Sequence, residues 1–195
     1  NVDRVFCVPG ESFLGSLDAL HDVSDQLHLV VCRHEGGVTN MAEAWGKLTG
    51  KPGIAFVTRG PGASNASVGI HTSHQDSPPL IMFVGQVARD MAEREAFQEV
   101  DFRRMFGQMT KWVAQIDDPA RIPELVSRAF HVATSGRPGP VVLAIPEDMQ
   151  TEIADVDDGQ PYQTVQASPS TADMDNLLDM LMAANRPLVL AGGCS

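Results

Sequence analysis

Two short stretches carry residue types that can do chemistry. Arg33, His34, Glu35, Gly36 and Gly37 follow the apolar run LHLVVC, and a helical-period segment follows them. That order predicts a carboxylate at a strand's carboxyl end, beside a helix N-terminus, with two glycines that let another molecule come close. Position alone allows a plainer reading, a first-turn acid favoured by the helix dipole. The next apolar run, GIAFVT, ends in Arg59, Gly60, Pro61, Gly62, Ala63, Ser64 and Asn65. A Gly-Pro-Gly turn there exposes backbone amides at the same sheet edge. It is no dinucleotide fingerprint, because Asn65 stands where the third glycine belongs. His71 and His74 share one helix face, but no Cys or carboxylate pattern surrounds them to complete a metal site, so they are expected to face solvent or a partner. His34-Glu35 lacks the second histidine of a zinc-protease helix, and no Gly-x-Ser-x-Gly elbow occurs. Between Gly85 and Gly107 the charges are mixed, which predicts an exposed loop and then a short helix. Ala96, Phe97 and Gln98 interrupt those charges in a way that suits a pocket wall.

Six apolar runs are expected to form the strands that position these residues: 4–9, 27–32, 53–58, 79–85, 111–116 and 140–146. Helices are expected between them. Val38, Met41, Ala42 and Trp45 have helical spacing, as do Ile122, Leu125, Val126 and Ala129, the latter opened near Pro119 with Asp117 or Asp118 as cap. This alternation predicts an α/β fold of three layers, α/β/α, around a mainly parallel six-stranded sheet, with ligands at the strands' carboxyl ends. After Pro146 six acidic residues crowd between Glu147 and Asp158, the composition of a solvated linker. Met174, Leu177, Leu178, Leu181 and Met182 then mark a new amphipathic helix, and PLVLAG a strand. The expected division is a first domain over 1–146, an acidic linker over 147–169, and the truncated start of a second α/β domain over 170–195.

The 195 residues include 43% hydrophobic and 20% charged side chains, enough apolar material for a core. Fourteen basic against twenty-five acidic residues give −11, which repels phosphate backbones and anionic lipid, so neither nucleic acid nor a membrane is expected as partner. No apolar run approaches the roughly 20 residues of a membrane span. Cys7, Cys32 and Cys194 show no CxxC spacing, as expected of a reducing cytoplasm. The missing initial methionine and the ending LVLAGGCS read as a piece of a longer polypeptide.

RHEGG, TRGPGASN, DSPPL, GQV, AFQEVD and GRPGPVVLAIPEDM, in this order, resemble the N-terminal pyrimidine-binding domain of thiamine-diphosphate enzymes, most closely the acetolactate synthase group. The resemblance covers about residues 1–150, implies the thiamine-diphosphate-binding fold, and places one family helix ahead of residue 1. RPLVLAGG is similar to the start of the family's central domain. Glu35 then takes the place of the catalytic glutamate, which hydrogen-bonds N1′ of the cofactor's aminopyrimidine and favours the imino tautomer whose 4′-nitrogen deprotonates thiazolium C2. The activity implied is decarboxylation of a 2-oxo acid, with pyruvate condensed to 2-acetolactate. Gly60, Pro61, Gly62 and Asn65 match the turn beside the aminopyrimidine. Phe97, Gln98 and Lys111 match positions on the substrate side.

The chain departs from the synthase pattern in the first strand–helix turn. Gly10, Glu11 and Ser12 stand where synthases carry Gly-Gly-Ala on the substrate side, with Ser12 as helix cap and Glu11 as substrate contact both open. Ala88 replaces a proline after GQV, and HTSHQ a less polar helix segment. The family's C-terminal domain, which holds the diphosphate and Mg2+ through a GDG…N motif, has no counterpart here. The resemblance implies a site completed by that domain of a second subunit, in a homodimer or homotetramer, and FAD in the central domain of some members. The fragment alone is expected to be inactive and to bind the cofactor weakly. Helix 64–75, with small residues Ala66, Ser67 and Gly69, is a candidate dimer face. Alternatives are a relative using an acyl-CoA or a sulfonated aldehyde, and a non-catalytic assembly or regulatory paralogue. A glyoxylate carboligase is disfavoured, since that enzyme lacks the glutamate.

Overall fold

The computed structural model describes residues 2–165 and 167–192. In chain order the elements are β1 (Arg4–Cys7), α1 (Leu14–Asp22), β2 (His28–Val31), α2 (Glu35–Thr49), β3 (Gly53–Val57), α3 (Pro61–Asp76), β4 (Leu80–Gln86), α4 (Phe102–Phe106), β5 (Trp112–Gln115), α5 (Ile122–Thr134), β6 (Pro140–Pro146) and α6 (Thr171–Ala183). All six expected strands form. They make one parallel sheet in the order β2-β1-β3-β4-β6-β5.

The near-continuous apolar strands are explained by helices on both faces. Every residue of β3 and β6 is buried, and all of β4 but Phe83. Alternate residues serve opposite faces. Val5, Cys7, Ile54, Phe56, Ile81 and Leu143 pack with Leu125 and Ala129 of α5, and Leu17 and Leu20 of α1 lean on the same cluster. On the other face Phe6, Ala55, Val57 and Met82 meet Val38 of α2, Ile70 of α3 and Phe106 of α4. Burying a side chain as fully as Phe106 or Ile70 is worth about 1.5–3 kcal/mol each. Cys7 is a core residue whose thiol is pushed up to about 11 by burial and by neighbouring Cys32; Cys194 lies outside the described residues.

The α2 stripe differs from the expected one. Val38 and Ala42 are buried, but Met41 is exposed, and Thr39, Glu43 and Gly46 are buried instead. The helix is turned toward α3 as well as the sheet. Thr39 Oγ1 donates 2.9 Å to the Ala66 carbonyl, and a Cβ on Gly69 would fall 2.4 Å from Thr39 Oγ1. Ala66 and Gly69, expected at a dimer face, are therefore spent on contact within the chain. Arg137, in the loop before β6, holds the other end of α3, donating 2.8 Å to the Gln75 carbonyl and 2.6 Å to Ser77 Oγ. Before α5, Asp118 caps a single turn at Pro119–Arg121, accepting from Ala120 N at 2.9 Å, and the α-helix begins only at Ile122.

Beyond β6 the expectation of a solvated linker from residue 147 fails at its start. Met149 is 1% exposed, and Gln150 Nε2 donates 2.9 Å to the Ser12 carbonyl and 3.1 Å to that of Ile145. Farther on, Ser127 Oγ donates 3.2 Å to the Gln160 carbonyl, and Tyr162 stacks on Phe130 with centroids 5.2 Å apart. Helix α6 forms as expected, opened by a Ser170–Asp173 capping box. The strand expected over 187–192 does not form among the described residues, where Leu188, Val189 and Leu190 are exposed.

Candidate active site

The chain crosses from β1 outward to β2, then returns to β3 on the other side of β1. Such a reversal leaves a crevice at the carboxyl ends of β1 and β3, where open α/β sheets take ligands. Helix α2 starts after β2 and packs on both those strands, so its first turn overhangs the crevice. His34 is its N-cap, with extended backbone and Nδ1 accepting 3.0 Å from Gly36 N. Glu35 is the first helical residue.

Asn65, the fifth residue of α3, donates 3.0 Å to Glu35 Oε2. Oε1 has no protein donor among the described residues. A Cβ on Gly62 would lie 3.4 Å from that oxygen and 2.8 Å from Thr58 Cγ2, so glycine leaves the approach to Oε1 clear. Gly60 begins the same turn at φ 60°, where a side chain is strained, and a Cβ there would meet Gln98 Cβ at 2.7 Å. Pro61 opens α3 in its first turn, where no donor is lost. The Gly-Pro-Gly turn thus has the glutamate at one end and Gln98 at the other.

The turn after β1 supports it from beneath. Gly10 lies against Thr58, where a Cβ would stand 2.6 Å from the threonine's own. Ser12 is no helix cap: the turn Glu11–Phe13 starts from Gly10 without a side-chain cap. Its buried hydroxyl instead pairs with Thr58 Oγ1 at 2.8 Å and accepts from Arg59 N at 3.2 Å. Glu11 is exposed on the rim.

Two arginines that the sequence reading left unassigned brace this edge. Arg59, its side chain 13% exposed, donates Nη1 to Glu147 Oε2 at 2.7 Å and Nε to the Phe97 carbonyl at 3.1 Å. Arg89 grips Asp148 at 2.8 Å, the Asp117 carbonyl at 2.6 Å, and Glu152. Burial pushes the Asp148 carboxyl up, but the Arg89 side-chain and backbone donors outweigh it, and the group rests below the usual carboxylate range. The acidic run that looked solvated is here a set of counter-charges. Ala96 and Gln98 do line a depression, of about 470 Å³, while Phe97 is 77% exposed at its side.

Lys111 is not among these residues. It precedes β5 at the amino edge of the sheet, its amide bonded to the Pro140 carbonyl. Its ammonium donates to the carbonyls of Val132 and Ser135 at the end of α5, and burial holds its pKa below the usual lysine value. His71 is exposed and His74 half-buried on α3. No three His, Cys, Asp or Glu side chains gather as metal ligands among the described residues.

Residues 1–105 match the family described as thiamine pyrophosphate enzyme, N-terminal TPP binding domain. The chain is 37% identical over 196 residues to the acetolactate synthase large subunit of Lactococcus lactis, covering 98% of this chain and 34% of that protein. It is 37% identical over 198 residues to the acetolactate synthase isozyme 3 large subunit of Escherichia coli, covering 98% and 34%. To the acetolactate synthase of Bacillus subtilis it is 32% identical over 192 residues, covering 98% and 33%. The chain spans about a third of the length of these curated relatives.

Proposed function

Because the chain belongs to the thiamine pyrophosphate enzymes, through their N-terminal TPP-binding domain, we propose that Glu35 is the catalytic carboxylate of a longer, thiamine-diphosphate-dependent 2-oxo-acid decarboxylase and carboligase. The observation that carries this reading is the state of its two oxygens. Asn65 occupies Oε2, and Oε1 is left open over Gly62. A weakly basic ring nitrogen such as N1′ fits that opening, because a half-buried carboxyl can share a proton with it. When bound, thiamine diphosphate supplies the nucleophilic carbon and the electron sink that decarboxylation needs. Glu35 holds or releases the proton at N1′, Asn65 fixes the plane of the carboxylate, and Gly60, Pro61 and Gly62 keep side chains out of the ring's path. Gln98 and Phe97, with Gly10 and Glu11, face the substrate.

The diphosphate and Mg2+ fall to a C-terminal domain of a second subunit, in a homodimer or homotetramer, and FAD to a central domain that begins near residue 170. The first domain takes in β1 to β6 together with residues 147–152, whose carboxylates pair with Arg59 and Arg89, and residues 153–169 lead on to the next domain. The acetolactate synthases among the relatives make pyruvate the first donor to test. An exposed carboxylate at Glu11 favours a second reading, in which donor or acceptor is a different carbonyl compound.

The test uses full-length protein with thiamine diphosphate, Mg2+ and a panel of 2-oxo acids, following CO2 release and identifying products by mass spectrometry. Glu35→Gln keeps the hydrogen-bonding shape but cannot exchange the proton, and is expected to lower turnover by about 10²–10⁴-fold. Turnover retained in that variant refutes the role of Glu35. No turnover of any acid by the wild type refutes the function.

A further inference from the structure

We propose that Arg59 is a positioning residue for the Glu35 site: with Glu147 as counter-charge, it latches residues 96–98 over the glycine turn and so sets the entrance that a substrate must cross. This deepens the function proposed above and rests on it.

The segment it holds is under backbone strain. Glu93, Glu95 and Gln98 all have positive φ, at 62°, 54° and 65°, a region that side-chain-bearing residues rarely adopt. Such a conformation persists only where surrounding contacts over-determine it. Most hydrogen bonds of the segment are internal. Glu99 accepts from Glu93 N at 2.6 Å and Ala96 N at 3.2 Å, and Glu99 N donates to the Ala96 carbonyl at 3.0 Å. These shape the loop without attaching it. At its far end Gln86 Nε2 donates 2.9 Å to the Val100 carbonyl. At its tip the attachment is the 3.1 Å bond from Arg59 Nε to the Phe97 carbonyl, beside the close contact of Gln98 with Gly60.

The arginine is itself fixed on two sides. Its amide is held by Ser12, and its guanidinium by Glu147, whose own amide is tied to the Gln86 carbonyl at 3.1 Å. A largely buried guanidinium needs such a counter-charge. Its rigid fork lets Nε and Nη1 serve two partners in different directions, which a lysine ammonium on a flexible stem does not reproduce. Phe97 and Gln98 are therefore placed by the strand end that also carries the Gly-Pro-Gly turn, so the entrance keeps a fixed relation to Glu35.

The test compares Arg59→Met, Arg59→Lys and Glu147→Gln in full-length protein with thiamine diphosphate and Mg2+. Hydrogen–deuterium exchange of peptides covering 93–99 is read without substrate. KM and kcat are measured for the best 2-oxo acid, and proton exchange at the cofactor's C2 is followed by NMR. Loss of the latch is expected to speed exchange over 93–99 by roughly tenfold or more in both Arg59 variants, with β3 and α2 unchanged. KM is expected to rise by a similar factor while C2 exchange stays within about twofold, since Glu35 is untouched. Glu147→Gln, at a half-exposed side chain that folding tolerates, should shift both readouts the same way by a smaller factor. Unchanged exchange over 93–99 in all three variants, or C2 exchange falling as far as KM rises, overturns the proposal. If no 2-oxo acid turns over, the proposed function falls, and the exchange pattern alone decides the latch.

Discussion

Replacing Gly62 by alanine puts a methyl group 2.8 Å from Thr58 Cγ2 and 3.4 Å from Glu35 Oε1. The first distance is too short, and Thr58 has little freedom to yield, since its hydroxyl is bonded to Ser12 at 2.8 Å and Gly10 packs against its Cβ. Overpacking of this kind costs about 1–3 kcal/mol. In a longer, multidomain protein each kcal/mol moves the transition by no more than a few °C, so the melting temperature of the transition that includes this domain should fall by a few °C. The second distance bears on function. The methyl takes the space beside the open oxygen, and losing one hydrogen bond to a charged group costs roughly 1.5–3 kcal/mol, about 10–100-fold in Kd. Calorimetric melting of the full-length protein reads the first effect, and titration with thiamine diphosphate in the presence of Mg2+ reads the second. Gly50→Ala is the control: Gly50 sits at φ 68° with nothing within 4 Å of the added carbon. It should lose about 1 kcal/mol of stability and no cofactor affinity. Should Gly62→Ala melt lower yet bind the cofactor as the wild type does, the space over Oε1 is not where the ring nitrogen sits, and the reading of the Glu35 carboxylate fails.

Two further perturbations check the placement of side chains around the sheet. Lys111→Met removes two donors from the last turn of α5 but also relieves the desolvation of an ammonium; melting should drop by a few °C, about 1 kcal/mol, with KM and kcat unchanged. A raised KM would return Lys111 to the substrate side. Asp148 rests below the usual carboxylate range in the folded chain, so its pairing with Arg89 stabilises fully above the unfolded value near pH 4 and is lost as pH falls through the lower, folded value. Urea unfolding of wild type and Asp148→Asn should therefore differ by a constant amount above about pH 5 and draw together in more acid solution; a difference that does not shrink on acidification contradicts the pairing.

The sheet was legible because parallel strands buried on both faces leave uninterrupted apolar runs, and turn residues bound each run. The carboxyl-edge position of Glu35 and of the Gly-Pro-Gly turn followed from the same pattern. What local pattern lacks is orientation. Met41 has the right spacing for the core, yet it is exposed, because α2 also turns Thr39 to α3 and Gly46 to Pro78 and Pro79, and no single-helix period records a second neighbour. Ser12 precedes a helix as a cap would, but its hydroxyl finds Thr58 and Arg59, which are 46 and 47 residues away. The resemblance implies a substrate-side place for Lys111, while its position before β5 puts it at the opposite edge. Glu147, Asp148 and Glu152 read as a solvated run because the two arginines that claim them lie more than fifty residues earlier.

The arrangement after β6 has a practical meaning for anyone who would cut or graft this domain. A boundary drawn at Pro146, where the last strand ends, would discard the carboxylates of Glu147, Asp148 and Glu152 together with Met149 and Gln150. Arg59 and Arg89 would be left without acidic partners, and the turn after β1 without the amide that staples it. A chimera joined a few residues later, past Glu152, keeps every one of those ties. The natural seam of the molecule is thus set by charge pairing rather than by the end of the sheet.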